Sequence, residues 1–339
     1  MKVLIIKTSS MGDLIHTLPA LTDAMNAIEG IEFDWLVEEN FIEIPTWHPA
    51  VKRVIPIALR RWRKNWRAAW ANKEIQNFIK ELKSQHYDLI IDAQGLIKSA
   101  IPAFLAKGKR VGFDRESIKE PLAALFYQQK YNITKNQQAI YKVRQLFSQA
   151  LNYPLVQTAP DYGINITAEP LIEKPYLIFL HGTTWQTKFW PEVFWTELTQ
   201  LANAKGYQVF YPIADQTDTE RVQRIITPAE TGQAMPIMTL QQIAQAIAGA
   251  SAVIGVDSGL AHLTAALKIP ALTLYGATNS QLTGAIGEKQ KNLQSEFGCS
   301  PCLKKECSIA DNQHITPPCF QMLPAQRVWE TLLLHLDKI

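Results

Sequence analysis

Short apolar runs alternate with amphipathic stretches from the first residues of the chain, and the same alternation restarts near residue 175. Strand, helix, strand in succession predicts parallel pairing, because a parallel neighbour needs a crossover long enough to return the chain to the same end of the sheet. In the first half Lys2–Lys7, Phe33–Val37, Val51–Ile57 and Asp88–Asp92 read as strands, and a helix follows Asp92 through Leu105. Leu14–Ile28 carries Leu14, Leu18, Leu21, Met25 and Ile28 at helical spacing. In the second half the strands are Tyr176–Leu180, Gln208–Ile213, Ala252–Val256 and Ala271–Tyr275. The helices between and after them are Pro191–Ala204, Asp218–Ile226, Leu240–Ala250, Leu260–Leu267 and Ala325–Leu336. Pro154, Pro160, Pro170 and Pro175 mark Tyr153–Pro175 as a linker. Two parallel α/β units joined in this way place ligands at the carboxyl ends of their strands, in the cleft between the units.

Composition narrows the class. At 339 residues two domains are expected, and 47% apolar with 19% charged residues describes a globular chain. A net charge of +3 argues against a general nucleic-acid binder. The most apolar region, Ala250–Leu274, is interrupted by Asp257, His262 and Lys268 before it reaches the ~20 residues of a membrane span. The apolar start is too short for a secretory signal, so the chain reads as cytoplasmic with its four cysteines reduced.

Three strand-end loops carry candidate chemistry. Lys7-Thr8-Ser9-Ser10-Met11-Gly12-Asp13-Leu14 sets an Asp where it either caps a helix or faces a substrate as a general base, and the two roles are compatible. His181–Pro191 places Thr183, Thr184 and Lys188 ahead of a helix, hydroxyls and an ammonium suited to phosphate. Val256-Asp257-Ser258-Gly259-Leu260-Ala261-His262 ends a buried strand and opens a helix at once, so that main-chain amides and Gly259 can receive a diphosphate, with His262 one turn further on. The chain lacks G-x-G-x-x-G, G-x-x-x-x-G-K-[ST] and D-x-D, which removes the dinucleotide fingerprint, the P-loop and the usual metal-bound nucleotide-sugar pair. Neutralisation of a diphosphate then falls to Lys188 and the helix dipole.

Two further stretches stand apart. Leu59–Trp70 holds Arg60, Arg61, Arg63, Lys64 and Arg67, with Trp62, Trp66 and Trp70 at every fourth residue. On one helix the three indoles share a face, which suits either a core-anchored solvated helix or a site for a polyanionic amphiphile at a membrane surface. Cys299, Cys302, Cys307 and Cys319 could form a Cys₄ metal site, but a single C-x-x-C favours reduced thiols and no metal.

Taken together, Lys7–Ala24, His181–Glu192 and Gly255–Ala266 resemble the ADP-heptose:lipopolysaccharide heptosyltransferases over essentially the whole chain. The basic stretch is most similar to the heptosyltransferase I branch, and the cysteine run to heptosyltransferase II. The resemblance implies a GT-B fold, with two Rossmann-like parallel-sheet domains facing across a cleft. Residues 1–160 would bind the acceptor, residues 175–322 would bind ADP-heptose, and the helix in 323–339 would pack back on the N-terminal domain. It implies inverting transfer of L-glycero-D-manno-heptose to the Kdo region of Kdo2-lipid A, with transfer to heptosyl-Kdo2-lipid A as the alternative, no cofactor, and work at the cytoplasmic face of the inner membrane. Residue by residue, Asp13 matches the base, and Ser10, Gly12 and the five basic residues of 60–67 match acceptor contacts. Thr183, Thr184, Lys188, Asp257, Ser258, Gly259 and His262 match donor contacts, and Lys188 also aids catalysis. Met238 falls where adenine packs, and Asp218 where an acidic sugar contact lies, with Asp215 or Glu220 as alternatives.

Overall fold

The computed structural model describes residues 1–309 and 316–339, and the chain divides into two units, Met1–Asn165 and Ile166–Ile339. The division falls within the proline-rich stretch, which forms neither helix nor strand.

The first unit contains β1 (Lys2–Ile6), β2 (Glu32–Glu38), β3 (Val51–Ile57), β4 (His86–Asp92), β5 (Lys107–Phe113) and β6 (Gln129–Tyr131), in the spatial order β3-β2-β1-β4-β5-β6. The second contains β7 (Tyr176–Leu180), β8 (Gln208–Tyr211), β9 (Gln233–Ala234), β10 (Ala252–Val256), β11 (Ala271–Tyr275) and β12 (Gln290–Gln294), in the order β12-β11-β10-β7-β8-β9. Every pairing is parallel. The two orders are one pattern: the chain winds outward from its first strand, then crosses over that strand and winds the other way. The reversal lies between β1 and β4 in one unit and between β7 and β10 in the other, and adjacent loops there depart to opposite faces and leave a crevice.

Helices on both faces explain why β7 and β10 read as unbroken apolar runs and β1 and β11 as nearly so, with Lys2 and Thr273 the exceptions. Val3 through Ile6 are fully buried, as are Leu177, Ile178, Phe179, Ile254 and Leu272. Gly255 pairs with Leu180, where a Cβ would stand 2.8 Å from that of Leu180, so the β7–β10 contact admits no larger residue. The second core gathers Phe179, Trp190, Trp195 and Tyr211, with Trp190 edge-on to Trp195 at 4.7 Å.

Several expectations change in detail. The helix expected at Leu14–Ile28 is two helices, Met11–Ile15 and Leu18–Ala27, the second with proline in its first turn. Four strands, β5, β6, β9 and β12, lie outside the runs read as strands. The final helix, Ala325–Leu336, packs on Glu192–Ala204 within the second unit. Its apolar face explains this: Val328, Trp329 and Leu332 complete the second core, and Trp190 Nε1 donates to Leu323 O at 2.9 Å beside it.

Candidate active site

In the second unit the loops after β7 and β10 meet at the crossover. Lys188 lies in a 3-10 turn, Gln186–Lys188, and its Nζ sits 2.7 Å from Asp257 Oδ2 and 4.7 Å from the centre of the Trp185 ring. Thr278 Oγ1 donates to the same carboxylate oxygen at 2.7 Å, and His262 Nε2 stands 3.8 Å from the other. Thr183 Oγ1 donates to the Asp257 carbonyl at 3.4 Å. Burial alone would raise the Asp257 carboxyl, but the His262 hydrogen bond and the Lys188 ammonium outweigh it and hold the group well below the usual carboxylate range. Asp257 is therefore a fixed anion that places one ammonium.

Ser258 caps the helix Gly259–Ala266 with extended backbone angles but makes no side-chain cap hydrogen bond, and its buried Oγ has no hydrogen-bond partner among the described residues. A helix whose first-turn N–H groups its own cap does not engage, next to that hydroxyl and a lysine, has the donors that an anion requires. Of the three acidic candidates, Asp215 accepts from Asp218 N at 3.0 Å as a helix cap and Glu220 engages Gln216 at 3.1 Å. Asp218 Oδ1 lies 3.8 Å from where a Gly182 Cβ would stand, so Asp218 is the one beside the β7 loop. Thr184 is exposed and Met238 half-buried.

In the first unit Ser10 caps Met11–Ile15 and Asp13 is its third helical residue. Asp13 is thus the reciprocal partner of a cap: its Oδ2 accepts from Ser10 N and Ser10 Oγ, both at 3.0 Å. Its Oδ1 faces Lys7 Nζ at 3.8 Å, and the side chain stays 33% exposed, so capping leaves one oxygen open. Burial acts to raise this carboxyl, while Lys7, Lys119 and the Ser10 amide lower it further, leaving it well below the usual range. Gly12 is buried one residue before it.

Sequence reasoning missed the supports of this loop. Lys7 Nζ donates to Ala93 O at 2.9 Å, and burial pushes its ammonium down from the ordinary lysine range. Gln94 Oε1 accepts from Thr8 N at 3.0 Å and Ser9 N at 3.2 Å, and Lys98 Nζ donates to Ser9 Oγ at 3.0 Å. Asp92 in turn holds Gln94 N at 2.8 Å and Tyr127 OH at 2.6 Å. The signal available was position: Ala93-Gln94-Gly95 ends the strand across the crossover from β1, and Gly95 takes φ +69°.

The basic segment is not one helix. Leu59–Lys64 and Trp66–Ala71 break at Asn65, whose Oδ1 accepts from Ala68 N at 3.2 Å to cap the second. The expected shared indole face is therefore absent. Trp62 packs on Phe78 at 5.5 Å and donates to Glu74 at 3.0 Å, while Trp66 and Trp70 are exposed. Arg61 is bound by Glu39 and by Glu74, the latter at 2.6 Å; Arg60, Arg63, Lys64 and Arg67 are exposed. Cys299 is exposed, Cys302 and Cys307 half-buried and Cys319 buried, all with free thiols. Burial and the neighbouring cysteines push the Cys319 thiol up to about 12, and among the described residues no group of three His, Cys, Asp or Glu is arranged to hold a metal ion.

Known proteins are similar to this chain in sequence and in fold. The chain is 48% identical to lipopolysaccharide heptosyltransferase 1 of Pseudomonas aeruginosa over 342 residues, 97% of this chain and 96% of that one. Its structure is similar to that of the E. coli heptosyltransferase WaaC with ADP, with a TM-score of 0.87 and 41% identity over 99% of this chain and 100% of that one. The E. coli lipopolysaccharide heptosyltransferase 2 is only 24% identical over 98% of this chain and 97% of its own. Both units have the Rossmann-like build of GT-B glycosyltransferases. The description "Glycosyltransferase family 9 (heptosyltransferase)" fits residues 75–312, and the chain belongs to that family.

Proposed function

We propose that this glycosyltransferase moves L-glycero-D-manno-heptose from ADP-heptose to Kdo2-lipid A, as heptosyltransferase I, with inversion at the anomeric carbon. The observation that carries the donor half is the Lys188–Asp257 pair beside the helix whose cap, Ser258, makes no side-chain cap hydrogen bond: a preplaced ammonium, a hydroxyl with no partner among the described residues, and main-chain amides at the β7–β10 crossover. Negative charge grows on the leaving ADP, and fixed donors aimed at that charge lower the barrier without reorganising. Thr183 and Thr184 flank the diphosphate, Asp218 and Met238 serve the sugar and adenine ends, and His262 steadies Asp257.

The acceptor half rests on Asp13. An acceptor hydroxyl of Kdo attacks the anomeric carbon on the face opposite the departing ADP, its proton passes to Asp13 Oδ1, and the C–O bond to the diphosphate breaks. A carboxylate held below its ordinary range is a weak base, so the proton moves late, once bond formation has made the hydroxyl acidic. Ser10 and Gly12 line this loop, and Arg60, Arg63, Lys64 and Arg67 meet acceptor phosphates and carboxylates. Arg61 is already paired and shapes that segment. The acceptor in this reading is a membrane lipid, which supports work at the cytoplasmic face of the inner membrane; no helix among the described residues is long and apolar enough to cross a membrane.

The test is to incubate the protein with ADP-heptose and either Kdo2-lipid A or heptosyl-Kdo2-lipid A and weigh the products. One added heptose on the first acceptor only is the expected result. Addition only to the second assigns the later step, and addition to neither overturns the reading.

A further inference from the structure

The first unit carries a surface that the chemistry at Asp13 does not use. On the helix Ile97–Leu105, Ile97, Ile101 and Phe104 share one face and are 36%, 45% and 56% exposed. The 3-10 helix Pro121–Phe126 packs against it and adds Leu122 and Leu125, 59% and 67% exposed. Phe104 meets Phe126 edge-on at 5.9 Å, and Glu120 Oε2 accepts from Ile97 N at 2.7 Å, so the two elements present one apolar surface. A cluster of large side chains left to water on this scale marks an interaction surface.

Its rim is basic. Residues 97–130 contain seven Lys or Arg against three Asp or Glu, a net +4 in a chain whose total is +3. All three of those carboxylates are engaged internally, Glu120 as above, Asp114 by Ser117 and Asn132, and Glu116 by Asn132 at 3.2 Å. Lys107, Lys109, Lys119 and Lys130 are exposed, and Arg110 lies over the Phe104 ring at 5.3 Å. The surface also reaches the acceptor loop, since Lys98, next to Ile97, donates to Ser9 Oγ at 3.0 Å, one residue from the Ser10 that bonds Asp13.

We propose that this face docks on an anionic phospholipid bilayer, with the apolar side chains entering the headgroup–acyl boundary and the cations meeting lipid phosphates. The proposal rests on the acceptor reading above. An acceptor whose acyl chains stay in the bilayer meets Asp13 only when the first unit lies against the membrane, and this face adjoins the Asp13 loop.

Vesicle sedimentation with the full chain tests it, using vesicles of phosphatidylglycerol with phosphatidylethanolamine and, in parallel, phosphatidylcholine alone. Wild type should pellet with the anionic vesicles and be released by high salt, because exposed charge attraction is screened. Leu122→Ser/Leu125→Ser should lose roughly tenfold or more in partition, since each buried apolar group contributes to insertion. The surface-only Lys107→Glu/Lys109→Glu should lose a similar factor without touching an apolar side chain. Both variants should keep wild-type ADP affinity and wild-type turnover on a deacylated, water-soluble Kdo acceptor. Wild type that ignores anionic vesicles, or variants that bind them equally, overturn the proposal. So does a wild-type dimer in sedimentation velocity that the leucine variant dissolves, which assigns the face to a second copy. The vesicle arm contains neither donor nor acceptor, so failed transfer to the soluble acceptor sinks the functional reading alone.

Discussion

Lys188 Nζ lies 2.7 Å from Asp257 Oδ2, a contact that bridges the loops after β7 and β10 across the crossover of the second sheet. The carboxylate holds the ammonium where a diphosphate can share it, so Lys188 needs no reorganisation during the reaction. Lys188→Ala is expected to lower kcat by about 10²–10³, the usual result of removing one donor aimed at developing charge. Steady-state rates with saturating ADP-heptose measure it, and a loss under threefold would show that the amides at Gly259 suffice.

Asp257 also stabilises the fold, and the sign of its pH dependence follows from its depressed pKa. A group that ionises more readily when folded stabilises above its unfolded pKa of about 3.9, and that contribution is lost as the pH falls below this value toward the folded one. Asp257→Asn leaves the Lys188 ammonium, 16% exposed, without its partner. At pH 7 the variant should be less stable by about 3 kcal/mol, and the gap should narrow below pH ~4. Urea unfolding of both proteins at several pH values measures it; a gap that widens on acidification contradicts the assignment.

Asp13 makes a different prediction. Asp13→Ala should cost about 10²–10⁴ in kcat and leave ADP-heptose affinity near wild type. Because Lys7 and Ser10 keep the carboxyl below its usual range, the acid side of the kcat/KM profile should be level down to about pH 4. An acid limb with an apparent pKa near 6 would assign the proton transfer to another group.

Gln94 acts through other residues, as a positioning residue: its single oxygen collects the Thr8 and Ser9 amides ahead of Asp13. Gln94→Ala leaves those buried donors unpaired, a cost of about 1–3 kcal/mol. The expected signature is a kcat loss with the donor KM unchanged, partly recovered in Gln94→Glu, which keeps the acceptor oxygen. Equal losses in both constants would point to general unfolding of the first unit.

How legible each part was in the sequence follows from what each residue packs against. The central strands and the loops bearing Asp13, Lys188 and Asp257 could be read because β7, β10 and β1 from Val3 onward are buried on both faces and therefore apolar. Four others could not, among them the edge strand β12, Gln-Lys-Asn-Leu-Gln, and β5, one in from the edge, which opens Lys-Gly-Lys-Arg; both are polar where an edge or a strand end faces water. The break at Asn65 also stayed hidden, since the Trp62, Trp66, Trp70 spacing fits one helix and the capping residue sits inside it. Gln94 and Lys98 escaped notice because their roles are set by a strand far away in sequence, which no local pattern records.

The broken basic segment separates two kinds of arginine. Arg61 is held by Glu39 and Glu74, whereas Arg63 and Lys64 lie exposed at the end of Leu59–Lys64, with no ion pair at either among those found in the structure. An exposed cation has little structural role, so reversing its charge should change recognition of an anionic acceptor and little else. Arg63→Glu/Lys64→Glu is expected to raise the acceptor KM by roughly tenfold or more, with kcat and the donor KM within twofold, through lost attraction and added like-charge repulsion. The effect should shrink with added salt, since attraction across solvent is screened over about 8–10 Å. Arg61→Ala should differ: it frees Glu39 and Glu74, loosens the hold on Trp62, and shows as increased protease cleavage near Asn65 with a smaller, salt-insensitive change in KM. Steady-state kinetics on both variants at two ionic strengths decides the matter, and a salt-sensitive tenfold KM increase from Arg61→Ala alone would exchange the roles of Arg61 and the Arg63–Lys64 pair.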